Sequence, residues 1–239
     1  MVRRLRQLGF EFRARGGARA GAGRPPKGST AGVSHLRRPA HSRHHPLHVT
    51  LRVRPGVPSL RAHALFAQVR KALSEGKERF GFELVHFSVQ SNHLHLIAEA
   101  EDARALSRGV QGLSIRIARA VNRGLARRGR VFADRYHARA LKTPRSVRLA
   151  LRYVLLNARK HVAVGDLPPG FVDPRSSAAW FAGFSRPEGL AFGVSAARTE
   201  WARASPCAEP PVAAPRSWLL RVGHERAGPF DVDEMPGKH

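Results

Sequence analysis

Leu84–Ala100, LVHFSVQSNHLHLIAEA, decides how the rest of the chain is read. Val85, Phe87 and Val89 alternate with His86, Ser88 and Gln90, the period of two that marks a strand with one buried face. After Ser91-Asn92 the alternation resumes, with Leu94, Leu96 and Ala98 against His93, His95 and Ile97. A tight hairpin loop at Ser91-Asn92 pairs Gln90 with His93 and Val89 with Leu94. In that register every large apolar side chain of both strands except Ile97 falls on one face, while His93 and His95 share the other with Ser88 and Gln90. A slip of one residue scrambles both faces, so the pattern itself argues for the pairing.

Two imidazoles at i and i+2 on a strand point the same way, close enough to share one divalent cation. The plainer reading is two polar residues on a solvated sheet face, in a chain with 13 histidines. The rest of the sequence has to decide between them.

Composition narrows the field of partners. The 42 Lys and Arg against 17 Asp and Glu give a formal charge of +25, which favours a polyanion. Nucleic acid is the first expectation and an anionic membrane surface the weaker one. No apolar run approaches the ~20 residues that span a bilayer, and Met1–Ala20 lacks the apolar core of a secretory signal. The Arg-rich start imitates an organelle transit peptide, but its Gly and Pro content makes a poor amphipathic helix. The single cysteine, Cys207, excludes internal disulfides and thiolate clusters, which points to a reducing cytoplasm.

Read in order, residues 1–44 form a basic tail with few apolar residues, expected to be disordered. Within it Gly21–Lys27, GAGRPPK, reads either as an incomplete minor-groove AT-hook or as a solvated cationic linker. Residues 45–165 carry the pattern of one domain. His48–Arg54 alternates and stops at Pro55-Gly56 as a first strand. Ser59 is the expected N-cap of a helix with Leu65, Phe66, Val69, Ala72 and Leu73 on its apolar face. After the hairpin, Asp102 caps a long helix striped by Leu106, Val110, Leu113, Ile117, Val121 and Leu125. Arg104, Arg108, Arg116, Arg119 and Arg123 occupy its other faces, either as a solvated surface or as contacts for phosphates. Arg130–Lys142 predicts a fourth strand, and Ser146 caps a helix running to about His161 with Val147, Leu151, Val154 and Leu155 inward. Tyr153 and Asn157 are i, i+4 neighbours and project together from another face.

The order β-α-β-β-α-β plus a C-terminal helix predicts an α+β, ferredoxin-like fold, a four-stranded antiparallel sheet with two helices on one side. The histidines lie on the side left open, and a third helix crossing it brings Tyr153 and Asn157 toward His93 and His95. Residues 166–239 are expected to pack in part, around Trp180 and Phe181, and then, after about Pro187, to be disordered.

His48–Arg54, the hairpin sequence Ser91-Asn92-His93-Leu94-His95 and the helix segment Tyr153-Val-Leu-Leu-Asn157 occur here in an order that resembles the IS200/IS605-type single-tyrosine (HUH) transposases. Among these the REP-associated tyrosine transposases look nearest, and the resemblance covers roughly His45–Phe184. It implies that His93, His95 and Asn157 hold a divalent cation and that Tyr153 is the nucleophile. Ala158 departs from the proline that many relatives carry after the Asn.

The implied activity is a single-strand DNA endonuclease and strand transferase that forms a 5′-phosphotyrosine. A phenol suits such transesterification because it ionises far more readily than an alcohol. Only Tyr136 and Tyr153 exist, and Tyr153 has the polar partner one turn on. Mg²⁺ or Mn²⁺ is expected, since two imidazoles and an amide oxygen leave room for phosphate and water. His86 reads as a supporting residue; His44, His45 and His48 read as flanking the first strand. The expected partner is single-stranded or hairpin DNA, with no membrane, and the protein is either a monomer or a homodimer. Two other readings stay open, a domesticated DNA-binding protein that does not cleave and a rolling-circle initiator or relaxase.

Overall fold

A computed structural model of the chain describes residues 41–161, 167–185, 187–203 and 209–237. The basic tail up to residue 40, with its Gly-Arg-Pro stretch, lies outside the described residues. Five strands form one antiparallel sheet: β1 Leu47–Arg52, β2 Glu78–Arg79, β3 Phe82–Val89, β4 His93–Ala100 and β5 His137–Ala140, in the order β2-β3-β4-β1-β5. Without the short β2 this is the expected ferredoxin-like arrangement.

The hairpin register is the one its alternation predicts. Val89 faces Leu94, and the Gln90 N–H donates to the His93 carbonyl at 2.9 Å. One irregularity lies upstream, where a β-bulge between Leu84 and His86 shifts the ladder. The bulge turns Val85 away from Phe87 and Val89, onto the face where Ile97 sits. Ile97, the apparent exception in the sequence pattern, thereby gains an apolar partner.

Two apolar layers result. On one face Val49, Leu51, Phe87, Val89, Leu94 and Leu96 pack beneath α1 (His63–Glu75) and α2 (Ala103–Gly124). Gly109 lets α2 close on β3: a Cβ there would stand 2.2 Å from Cγ of Phe82. On the other face α3 (Pro144–Leu155) lays Val147, Leu151, Val154 and Leu155 over Val85 and Ile97.

The helix starts are partly as expected. Asp102 caps α2, its carboxylate accepting from the Ala105 N–H at 2.7 Å. For α3 the N-cap is Thr143 and not Ser146, which instead occupies N3 and closes a capping box, with Pro144 at the first helical position. Helix α1 starts at His63 without a side-chain cap, and the Ser59 hydroxyl accepts from the Arg61 N–H in the preceding turn. The α-helical part of α3 ends at Leu155, and Asn157–His161 continues as a 3-10 turn. The expected strand over residues 130–142 is regular only at His137–Ala140, with one isolated bridge between Phe132 and Val53.

The described residues after Pro187 are folded, where disorder was expected. Helix α4 (Pro187–Arg203) inserts Trp201 into the first layer beside Phe66 and Phe87. Residues 209–237, including α5 (Trp218–Arg221), add Leu219, Leu220, Phe230 and Val232 to the second layer. Earlier in the chain, Ser177 donates its N–H to the Phe87 carbonyl and the Val89 N–H reaches the Arg175 carbonyl, both at 2.9 Å. These contacts cover the free edge of β3, where unpaired strand groups invite association.

Candidate active site

The site grows from the strand period. His48, Thr50 and Arg52 alternate with the buried Leu47, Val49 and Leu51, so they occupy the α3 side of β1. The ladder sets Arg52 opposite His93, Thr50 opposite His95 and His48 opposite Ile97, and directly opposed residues share a face. On the far side of β1, His137 faces Thr50 and Arg139 faces His48, both exposed at the edge strand.

At the centre the imidazoles of His93 and His95 meet with Nε2 atoms 2.9 Å apart. Their outer nitrogens have partners of their own. His93 Nδ1 lies 2.7 Å from Asn92 Oδ1, and His95 Nδ1 lies 3.2 Å from His48 Nε2 and 3.3 Å from Thr50 Oγ1. The pair fits a cation on two grounds. Bonds of about 2.1 Å to neighbouring positions of an octahedron place the ligand atoms about 3 Å apart, which is the spacing found. The outer partners also hold both rings in the orientation that metal-bound histidines receive from hydrogen-bonding neighbours. Among the described residues no group of three His, Cys, Asp or Glu side chains converges as a metal site.

Helix α3 and the 3-10 turn after it carry the other two expected residues. The Tyr153 ring stands edge-on to His95 with centroids 5.0 Å apart, and edge-on to His48 at 6.0 Å. The Lys160 ammonium sits 5.1 Å from the centre of the same ring. Asn157 is 1% exposed; its Nδ2 donates to the Tyr153 carbonyl at 3.2 Å, and its Oδ1 is buried without a hydrogen-bond partner. A buried, unsatisfied amide oxygen one turn after the phenol is costly unless something engages it.

The C-terminal segment fixes α3 over the sheet. Arg148 and Arg152 both reach Glu234, at 2.6 and 3.4 Å, and Arg159 reaches Asp233 at 2.5 Å. Burial raises the affinity of the Glu234 carboxyl for a proton, but the Asp231 N–H and Arg148 more than offset it and hold its pKa below the usual value.

The structure thus brings His93, His95 and Tyr153 together, with Asn157 on the turn that follows. It places Arg104, Arg108, Arg116, Arg119 and Arg123 in the opposite layer, on the helix that packs against the other sheet face. It also moves His48 from the flank of the first strand into the site, where it is 6% exposed. Its signal was present in HVTLRV, whose alternation puts His48 and Thr50 on the face opposite Val49 and Leu51. His86 shares that face but not the site: it is buried under the C-terminal segment, with Nδ1 3.2 Å from Ser177 Oγ and its ring against Phe181.

Residues 43–155 match the family described as "Transposase IS200 like". Among solved structures the chain is similar to a REP-associated tyrosine transposase bound to a REP hairpin. The two are 18% identical over 54% of this chain and 74% of that one, with a TM-score of 0.45. A comparison with curated proteins finds no match. Among the described residues no helix is long and apolar enough to cross a membrane.

Proposed function

We propose that this domain breaks and rejoins single strands of DNA through a tyrosine-linked intermediate. The observation that carries the reading is the contact of the Tyr153 ring with His95, whose Nε2 converges with that of His93. Tyr153 is the nucleophile. Its phenolic oxygen forms a bond to phosphorus, the bond from phosphorus to the 3′ oxygen breaks, the phenolic proton leaves to solvent, and the departing oxygen takes up a proton as a free 3′-OH. The fragment on the 3′ side of the cut stays on Tyr153 through its 5′-phosphate, as a phosphodiester, and attack by a 3′-OH reverses the step.

His93, His95 and the orphaned Oδ1 of Asn157 are the residues to hold Mg²⁺ or Mn²⁺, which when bound supplies positive charge at the non-bridging phosphate oxygens. The chain does the positioning. Thr50 and His48 orient His95, Asn92 orients His93, and Lys160 keeps a cation beside the phenol. Arg52 and Arg139 extend the cationic surface along the sheet face that carries the site. The α2 arginines, in the other layer, serve at most as a flanking surface for phosphates of longer DNA.

Incubating the protein with end-labelled single-stranded and hairpin oligonucleotides, with Mn²⁺ or with chelator, tests the reading. Chelator-sensitive nicking that Tyr153→Phe abolishes and Tyr136→Phe spares is the expected result. Hairpin binding that is indifferent to chelator, with no nicking by any preparation, favours a binding protein that does not cleave.

A further inference from the structure

We propose that His48 is a positioning residue that partners His95 Nδ1 as donor or acceptor, and so lets the His95 Nε2 lone pair be offered toward His93. The inference rests on the cation-binding reading above. The chain of contacts runs from Asn92 through His93 and His95 to His48, and each link constrains the next. Asn92 Oδ1 accepts the Nδ1–H of His93 at 2.7 Å, so His93 Nε2 carries a lone pair. Two lone pairs facing each other at 2.9 Å repel, so in the metal-free protein His95 Nε2 donates its proton to His93 Nε2. His95 Nδ1 is then an acceptor, and His48 Nε2–H and the Thr50 hydroxyl stand at 3.2 and 3.3 Å to serve it.

A cation at the Nε2 pair demands the opposite setting. Both Nε2 atoms must then be lone pairs, and the His95 proton must sit on Nδ1. That proton needs an acceptor in a buried place. His48 provides one by carrying its own proton on Nδ1 and turning Nε2 into the acceptor, while the Thr50 hydroxyl rotates. All three rings stay neutral in both settings, and the protons move by exchange with water. The His48 ring is held where it is: it is 6% exposed, stands edge-on to Tyr153, and is flanked along the strand by the buried Leu47 and Val49. One side chain therefore touches both the histidine expected to bind the cation and the tyrosine expected to attack.

The test compares the full chain with His48→Gln, which keeps an acceptor, and His48→Leu, which removes it. ¹⁵N imidazole spectra of metal-free protein read the tautomer, and Mn²⁺ titration followed by electron paramagnetic resonance reads affinity. The expected metal-free spectrum has His95 protonated on Nε2 and His93 on Nδ1, in the wild type and in His48→Leu alike, because His93 imposes it. Mn²⁺ affinity falls about 10–100-fold in His48→Leu, the range for partners of metal-bound histidines, and His48→Gln stays close to wild type. Thr50→Val, which leaves the ring in place, lowers Mn²⁺ affinity less. A His48→Leu protein with wild-type Mn²⁺ affinity overturns the inference. A His93→Ala protein that binds Mn²⁺ as the wild type does overturns the cation-binding reading instead, so the two failures are told apart.

Discussion

His86 ties the C-terminal segment to the sheet in a way that acid should undo. It is buried between β3, Phe181 and Ser177, and burial, with a further contribution from His224, depresses its pKa from 6.5 to about 3. A base whose folded pKa lies below its unfolded one binds more protons when unfolded, so the stability it allows is intact above about pH 6.5 and drains away as the pH falls toward 3. Full protonation of the unfolded chain against a neutral folded His86 amounts to about 5 kcal/mol, at 1.36 kcal/mol per unit of pKa difference. Between pH 7.5 and 4.5 the same linkage gives a loss of about 3 kcal/mol.

His86→Leu removes the titrating group and leaves the Ser177 hydroxyl a partner in the Phe87 carbonyl. Urea unfolding of both proteins at several pH values between 7.5 and 4.5 measures the difference. The account predicts a wild-type stability that falls by about 3 kcal/mol more than that of the variant over this interval. Parallel curves for the two proteins refute the argument that His86 is buried neutral. His224 is displaced in the same direction, chiefly by burial, although Glu225 and hydrogen bonding at Leu219 and Leu220 pull it back and Arg148 adds to the displacement. His224→Leu should therefore remove a further part of the slope.

Two other perturbations follow from the packing and the charge. Gly109→Ala drives a methyl into the Phe82 ring, which is 1% exposed and has no space to retreat, so urea unfolding should show a loss of about 1–3 kcal/mol. Replacing Arg52 and Arg139 by Ala should weaken single-strand binding and flatten its dependence on log salt by roughly 0.7 for each phosphate that is no longer neutralised. Arg104→Ala with Arg108→Ala should leave the yield of the Tyr153 adduct unchanged, since both residues lie in the layer away from the site.

The fold was readable wherever a period ran long enough to fix a face. The hairpin register, the stripe of α2 and the apolar side of α3 all follow from spacing, and together they carry Tyr153 to the histidine face. The failures have local causes. The bulge at Val85 changes the phase of β3 without any Gly or Pro to announce it. Strand β2 hides behind the turn Phe80-Gly81, where both residues have positive φ, 56° and 73°. That turn favours Asn-Gly or Asp-Gly, and Phe at its first position masks it. Residues 209–237 show no period because they dock through scattered anchors, with Leu219, Leu220, Phe230 and Val232 on the layer that α3 builds and Val212 on the other. His48 was legible as a face residue, but its role depended on which strand lies beside β1, and only the sheet order puts His95 there.

The central claim is that one phenol, on the helix that crosses the histidine face, becomes bonded to DNA. Peptide mass spectrometry of protein reacted with a single-stranded oligonucleotide and Mn²⁺, after nuclease trimming, reads this directly. The account predicts a nucleotide-phosphate mass on the peptide containing Tyr153, absent when His93 and His95 are both replaced by Ala. The same modification found on the Tyr136 peptide, with Tyr153 unmodified, contradicts it.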